Sequence, residues 1–198
     1  ADYGGLEIEL HPLDLDSLIM DVFQNGKSMA HAKARALEFK LTHIEPLQIN
    51  GNPDRMKQVL FNLIDNAIKH TLDGGTIALS LARQGQYAVI RVSDTGIGIP
   101  PEHVERIFDR FYQTDPSRVH HNHSDGFGLG LSIAKWIVEA HQGTITVESQ
   151  PQRGTTFIIS VPLLGAHLED DDDSATRIIT KTRVAISRRK RDENPVKP

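Results

Sequence analysis

Asn62, Asn66 and Lys69 stand four and then three residues apart, so on a helix they project to neighbouring parts of one face. An amide oxygen is a hard donor suited to Mg²⁺, which keeps waters and substrate phosphates as its other ligands, and a lysine beside it supplies positive charge for phosphate. Taken alone, the same spacing also describes an ordinary polar helix face. Asp94 is followed by two glycines in Asp94-Thr95-Gly96-Ile97-Gly98-Ile99-Pro100. A carboxylate there can accept a hydrogen bond from an exocyclic amine while the glycines let the loop lie against a ring; on its own it is equally an Asx turn closing a strand. Gly126-Phe127-Gly128-Leu129-Gly130-Leu131 then opens an apolar run over residues 131–138. A helix N-terminus reached through glycines points free N–H groups at an anion. Between the two glycine clusters lies a polar loop of about a dozen and a half residues, a length that in a compact domain marks a lid or disorder. These pieces read as a nucleotide pocket with a movable cover.

The elements that must position them follow from periodicity. Met56, Val59, Leu60, Leu63, Ile64 and Ala67 mark one face of the clearest helix in the chain, entered through the turn Gly51-Asn52-Pro53-Asp54 with Pro53 in its first turn. An earlier helix carries Leu15, Leu18, Ile19, Val22 and Phe23, with Asp14 or Asp16 as its cap. Residues 6–10 alternate as a first strand that His11-Pro12 breaks, residues 39–44 form another, and 47–49 a short one. Ile77, Leu79 and Leu81 alternate into a hairpin turn at Gln84-Gly85-Gln86 and a strand over 87–93. A helix over 131–141 precedes strands at 143–148 and 156–161, joined by a turn around Pro151-Gln152-Arg153-Gly154. Strand pairs with helices between them predict an α+β fold: a two-layer sandwich whose mixed, mostly antiparallel sheet is covered on one face by helices.

The chain has 198 residues, a net charge of -4 and no cysteine. The charge gives no electrostatic case for nucleic acid or acidic lipid, and cysteine-based metal sites are excluded. No apolar run is long enough to cross a bilayer, and the first residues do not read as a signal peptide. A start at Ala1-Asp2-Tyr3 without Met reads as a piece of a longer protein. Gly26-Lys27-Ser28 resembles the tail of a Walker A loop, but Asp21 stands where that motif needs its first glycine.

The motifs together carry a resemblance. Asn62-Leu63-Ile64-Asp65-Asn66-Ala67-Ile68-Lys69-His70 resembles the N box of bacterial sensor histidine kinases, and Asp94 to Pro100 their G1 box. Phe108-Asp109-Arg110-Phe111-Tyr112 is similar to the F box, Gly126 to Leu131 to the G2 box, and Gly154-Thr155-Thr156-Phe157 to the closing G-T-x-F. Five motifs in the family's order cover residues 6–164. The resemblance implies a Bergerat-type ATP-binding catalytic domain, shared with gyrase and Hsp90, over residues 14–164. Residues 1–13 would be a linker or first strand from a missing dimerisation domain, and 165–198 a charged tail or linker. Implied at the nucleotide are Asp94 on the adenine amine, Gly96, Gly98, Ile99 and Thr155 around the base, Asn66 on Mg²⁺ and Asn62 supporting it. Lys69, Gly126, Gly128, Leu129, Gly130 and Leu131 would hold phosphates, with His70 near the ribose. Phe108 and Phe111 would anchor a lid at 109–125. ATP and Mg²⁺ are the implied ligands. The implied partners are a phosphoacceptor domain of the same protein and a response regulator. The implied whole is a homodimer anchored at a membrane with this part in the cytoplasm.

Two departures qualify the resemblance. Gln113 stands where many members carry a lid arginine for the γ-phosphate, leaving Arg118 to serve that role. A nucleotide-gated interaction module or degenerate kinase is therefore the alternative to an active kinase. The phosphoacceptor H box is absent: His31 is followed by Ala-Lys-Ala and His43 by Ile-Glu-Pro. His120, His121 and His123 read as a solvated, pH-sensitive loop rather than metal ligands. His141, closing a helix, reads as a cation favoured by the helix dipole. Beyond Pro162 an acidic run at 169–173 and a basic run at 188–191 read as a solvated tail, with weak strand alternation at 180–186.

Overall fold

The computed structural model describes residues 8–112 and 128–166. Over them the chain runs β1 (His11–Asp14), α1 (Leu15–Ala32), β2 (Glu38–Ile44), β3 (Gln48–Gly51), α2 (Pro53–His70), β4 (Thr76–Gln84), β5 (Tyr87–Asp94), α3 (Pro101–Val104), α4 (Gly130–Ala140), β6 (Thr144–Gln150) and β7 (Gly154–Pro162). The main sheet has the order β2-β4-β5-β7-β6. Only β2 and β4 run parallel, because α2 carries the chain back between them; the other pairs are antiparallel. A separate two-stranded sheet pairs β1 with β3. The expected α+β sandwich is the fold that forms.

The helices lie on one face for a reason visible in β4, where Ile77, Leu79 and Leu81 alternate with half-buried residues and are fully buried. They meet Leu15, Ile19 and Val22 of α1, the whole apolar stripe of α2, and Ile137 and Val138 of α4 in one core. Burying one such side chain stabilises by roughly 1.5–3 kcal/mol. Local signals start and stop α2 as its sequence demands. Asn52 caps it by accepting the Arg55 N–H at 3.1 Å, Pro53 opens its first turn, and Thr71 leaves it in extended conformation. α2 and α4 pack with opposite chain direction, tied at two levels: the Asn52 N–H donates to His141 Nε2 at 3.0 Å, and the Asn62 amide donates to the Gly130 carbonyl at 3.0 Å.

The structure corrects several local expectations. The first strand is His11–Asp14 rather than residues 6–10, of which Ile8 to Leu10 have no regular structure and the first two lie outside the described residues. Pro12 does not break it, because β1 is paired on one side only, Pro12 opposite Asn50. Asp14 occupies the N-cap position of α1, but its carboxylate accepts from Gln48 Nε2 at 2.7 Å instead of capping the helix. Gly26 lies well inside α1 and is a packing glycine: a Cβ there would sit 3.0 Å from Phe39 Cε1 and 3.2 Å from Ile64. Helix α3 was not signalled, and Gly154 belongs to β7 rather than to the turn before it.

Candidate nucleotide-binding site

At one end of the candidate site, Asp94 closes β5 and faces Thr155 across the ladder to β7. Its Oδ1 accepts two backbone N–H groups, from Gly96 at 2.8 Å and from Thr155 at 3.3 Å. No group among the described residues donates to Oδ2, which leaves one carboxylate oxygen for a ligand. Burial pushes the carboxyl above its ordinary range, opposed by the two amide donors. The loop after Asp94 is held by its backbone. The N–H of Thr95 donates to Thr76 O at 3.1 Å, that of Ile97 to His70 O at 3.1 Å, and that of Gln152 to Ile97 O at 2.8 Å. Two glycines make this closeness sterically feasible. Gly98 has φ +69° and a Cβ on it would lie 2.0 Å from Gln150 O; Gly154 has φ +94° and a Cβ would lie 1.9 Å from Asp94 O.

At the other end, α2 presents the polar residues of its outer face. Asn66 is half-buried, and its side-chain amide has no hydrogen-bond partner among the described residues. Asn62 is committed to Gly130. Lys69 pairs with Asp65 at 2.8 Å, and Asp65 also takes Lys33. Burial raises the Asp65 carboxyl, but the two lysines outweigh it and hold it below its ordinary value. Helix α4 begins at Gly130 with no side-chain cap and no acidic residue in its first turn. Its first main-chain bond is Ile133 N–H to Leu129 O at 2.9 Å, so the preceding N–H groups are the donors a helix leaves over. Leftover donors of this kind are what the glycines led one to expect at the start of α4.

The segments entering and leaving the loop expected to form a lid are anchored. Phe108 packs edge-on against Phe157, centroids 6.3 Å apart. The Phe111 N–H donates to Gly128 O at 3.2 Å. Phe111 itself has φ +61° and is 71% exposed, so this tie runs through its main chain rather than through a buried side chain. The next residue, Tyr112, is held by its side chain, with its hydroxyl 2.6 Å from His103 Nδ1 and Arg106 4.4 Å over its ring. Gln113, Arg118, His120, His121, His123 and Gly126 lie outside the described residues.

Residues 51–165 match the family of histidine kinase-, DNA gyrase B- and HSP90-like ATPases. The chain belongs to that family. Sensor protein SrrB of Staphylococcus aureus is 48% identical over 109 residues, 55% of this chain and 18% of that protein. The chain thus spans well under a quarter of the length of the curated relatives it matches. Among solved structures, the nucleotide-free catalytic domain of histidine kinase ThkA superposes with TM-score 0.66 at 29% identity, over 78% of this chain and 96% of that one. Full-length ShkA in complex with AMPPNP superposes with TM-score 0.69 at 29% identity, covering 81% of this chain and 32% of that one.

As a member of this ATPase family, the chain brings together most of the residues that its motifs singled out. Asp94, Gly96, Gly98, Ile99 and Thr155 are joined at one end. Asn62 reaches Gly130 at the other, with Leu129 and Leu131 flanking the start of α4. His70 contributes its carbonyl to the glycine loop. The donor set fits Mg²⁺: an uncommitted amide oxygen on Asn66, and among the described residues no cluster of three His, Cys, Asp or Glu that would compete as a transition-metal site. One residue escaped the sequence reading and a second was read differently. Ser149 on β6 accepts the Ile99 N–H at 2.8 Å and touches both Gly154 O and Thr155 Oγ1 at 3.0 Å. The strand expected over 143–148 stops one residue short of it, and its place opposite Thr155 is set by the β6–β7 register. His141 is 3% exposed, with Nδ1 2.7 Å from Ile137 O and Nε2 accepting from Asn52. Burial lowers its pKa, so it is a neutral connector and not the helix-dipole cation expected. An open groove lined by Leu47, Arg83, Gln86 and Leu163 lies beside β1 and β3 and includes none of the site residues.

Proposed function

We propose that this chain is the ATP-binding catalytic domain of a sensor histidine kinase, and that it passes the γ-phosphoryl of Mg-ATP to a histidine on a phosphoacceptor domain outside these residues. The observation that carries the reading is the Asp94 carboxylate, with one oxygen held by two backbone donors and the other left for the amine of adenine. Asn66 would hold the metal, which neutralises phosphate charge when bound. The uncapped start of α4 would seat phosphate oxygens, and Lys69 would leave Asp65 to join them. The protein's part in such a transfer is positioning and charge stabilisation. Asn62 supplies a neutral amide, which cannot act as a general base toward water near pH 7, so hydrolysis is slow. A neutral imidazole acceptor is already nucleophilic and needs no such base. The whole protein would be a homodimer signalling to a response regulator, with this domain on the cytoplasmic side of a membrane. The test is incubation with γ-labelled ATP, alone and with an H-box domain from the same protein. The reading requires acid-labile label on the added domain, little free phosphate and none on this chain. Rapid phosphate release by the chain alone overturns it, and nucleotide binding without transfer makes it an interaction module.

A further inference from the structure

Ser149 sits at a junction of three segments. Its Oγ lies 2.8 Å from the Ile99 nitrogen, 3.0 Å from the Gly154 carbonyl oxygen and 3.0 Å from Thr155 Oγ1. An amide N–H only donates, a carbonyl only accepts, and a hydroxyl has one hydrogen and two lone pairs. One assignment of protons makes all three contacts hydrogen bonds. Ile99 donates to Ser149, Ser149 donates to Gly154, and the Thr155 hydroxyl donates to Ser149. If Ser149 instead donated to Thr155, no proton would remain between Ser149 and Gly154. Thr155 is 7% exposed, so water contributes little to satisfying its hydroxyl.

The consequence falls on the base end of the site. With its hydrogen committed to Ser149, Thr155 Oγ1 has only lone pairs left to offer. Asp94, its direct cross-strand partner, also offers only an acceptor through Oδ2. Residues paired across a ladder project to the same face, so the two acceptors stand side by side. We infer that Ser149 is a specificity-determining positioning residue: by fixing the direction of the Thr155 hydroxyl it makes this edge accept-only. Where it meets the 6-substituent of a purine, the edge then accepts from an amino group and has no hydrogen to offer an oxo group. The inference rests on the adenine reading of Asp94.

The experiment titrates Mg-ATP and Mg-inosine triphosphate into the 198-residue chain and its variants by calorimetry, with circular dichroism and thermal unfolding to confirm folding. In Ser149→Ala the Thr155 hydroxyl is free to turn and donate to a 6-oxo group. The preference for ATP over inosine triphosphate narrows by about tenfold, the size of one hydrogen bond. Ser149→Thr keeps the hydroxyl and the wild-type ratio. Thr155→Val lowers the ratio by itself, and adding Ser149→Ala to it changes the ratio no further. An unchanged ratio in Ser149→Ala overturns the inference, even if both affinities fall together, and so does a second drop in the double variant. Asp94→Asn separates the two readings. If it leaves ATP affinity intact, the adenine reading fails; if it weakens ATP while Ser149→Ala leaves the ratio alone, only the role of Ser149 fails.

Discussion

The side chain of Asn62 donates to the carbonyl oxygen of Gly130 at 3.0 Å, joining the middle of α2 to the first residue of α4. The family resemblance implied that Asn62 supports Asn66. The observed bond gives it a second task, holding the start of α4 at a set distance from the helix that carries Asn66. The two ends of the proposed phosphate site are therefore one unit.

Asn62→Ala should uncouple them. The variant removes one partly buried hydrogen bond, about 1 kcal/mol, which corresponds to roughly a fivefold loss of Mg-ATP affinity if the bond positions the phosphate seat. Calorimetric titration measures it. Wild-type affinity would show that the start of α4 needs no tether.

His141→Gln tests the other tie between the same helices. The folded-state pKa of His141 is depressed, so its stabilising contact is present above the ordinary histidine value and is lost as pH falls through the folded value. Protonation would place a second donor against the Asn52 N–H, which Nε2 now accepts. Glutamine cannot titrate. The drop in thermal midpoint between pH 7.5 and pH 5, both chosen to bracket about 6.5, should be smaller in the variant than in the wild type. Equal drops would assign the acid sensitivity elsewhere.

Asn66→Ala and Asn66→Asp should both suppress phosphotransfer to a supplied H-box domain. Alanine removes the proposed metal ligand; aspartate retains an oxygen donor but adds negative charge beside the phosphates. Loss of roughly a hundredfold or more in rate fits removal of a metal-positioning group. Wild-type rates in both variants would take Asn66 out of the site.

The sequence made the layers of this fold legible because each rests on a strong period. The stripe from Met56 to Ala67 could only be a helix buried on one side, and Ile77, Leu79 and Leu81 could only face one core. Asp94 and the glycines were legible because a carboxylate and a left-handed backbone each demand a particular residue type. What escaped was set by tertiary pairing. Pro12 can sit in a strand only because β1 has a free side, which depends on β3 some forty residues later. The burial of His141 depends on α2, and without that neighbour a histidine at a helix end reads as a dipole cation. Ser149 has a common residue type and acquires meaning only from Ile99 and Gly154.

Asp94 links binding to stability with a definite sign. Burial holds its folded-state pKa above the ordinary carboxyl value, so its contribution is complete in acid and is lost as pH rises through the folded value. Above that value the ionised group costs stability that the proposed contact with adenine would offset. Asp94→Asn keeps an oxygen for the Gly96 and Thr155 N–H groups and removes the buried charge. The nucleotide-free variant should unfold at a temperature equal to or above that of the wild type at pH 7, measured by scanning calorimetry. A lower midpoint would contradict the assignment of a buried, ligand-directed carboxylate.

The most direct measurement of the central claim is isothermal titration of Mg-ATP and Mg-GTP into the wild-type chain and Asp94→Asn. The wild type should bind ATP and discriminate against GTP, because a buried acceptor left facing an oxo group has no partner. The variant should lose roughly tenfold or more in ATP affinity and most of that discrimination, while remaining folded. ATP affinity unchanged in a folded variant would contradict the account at its base.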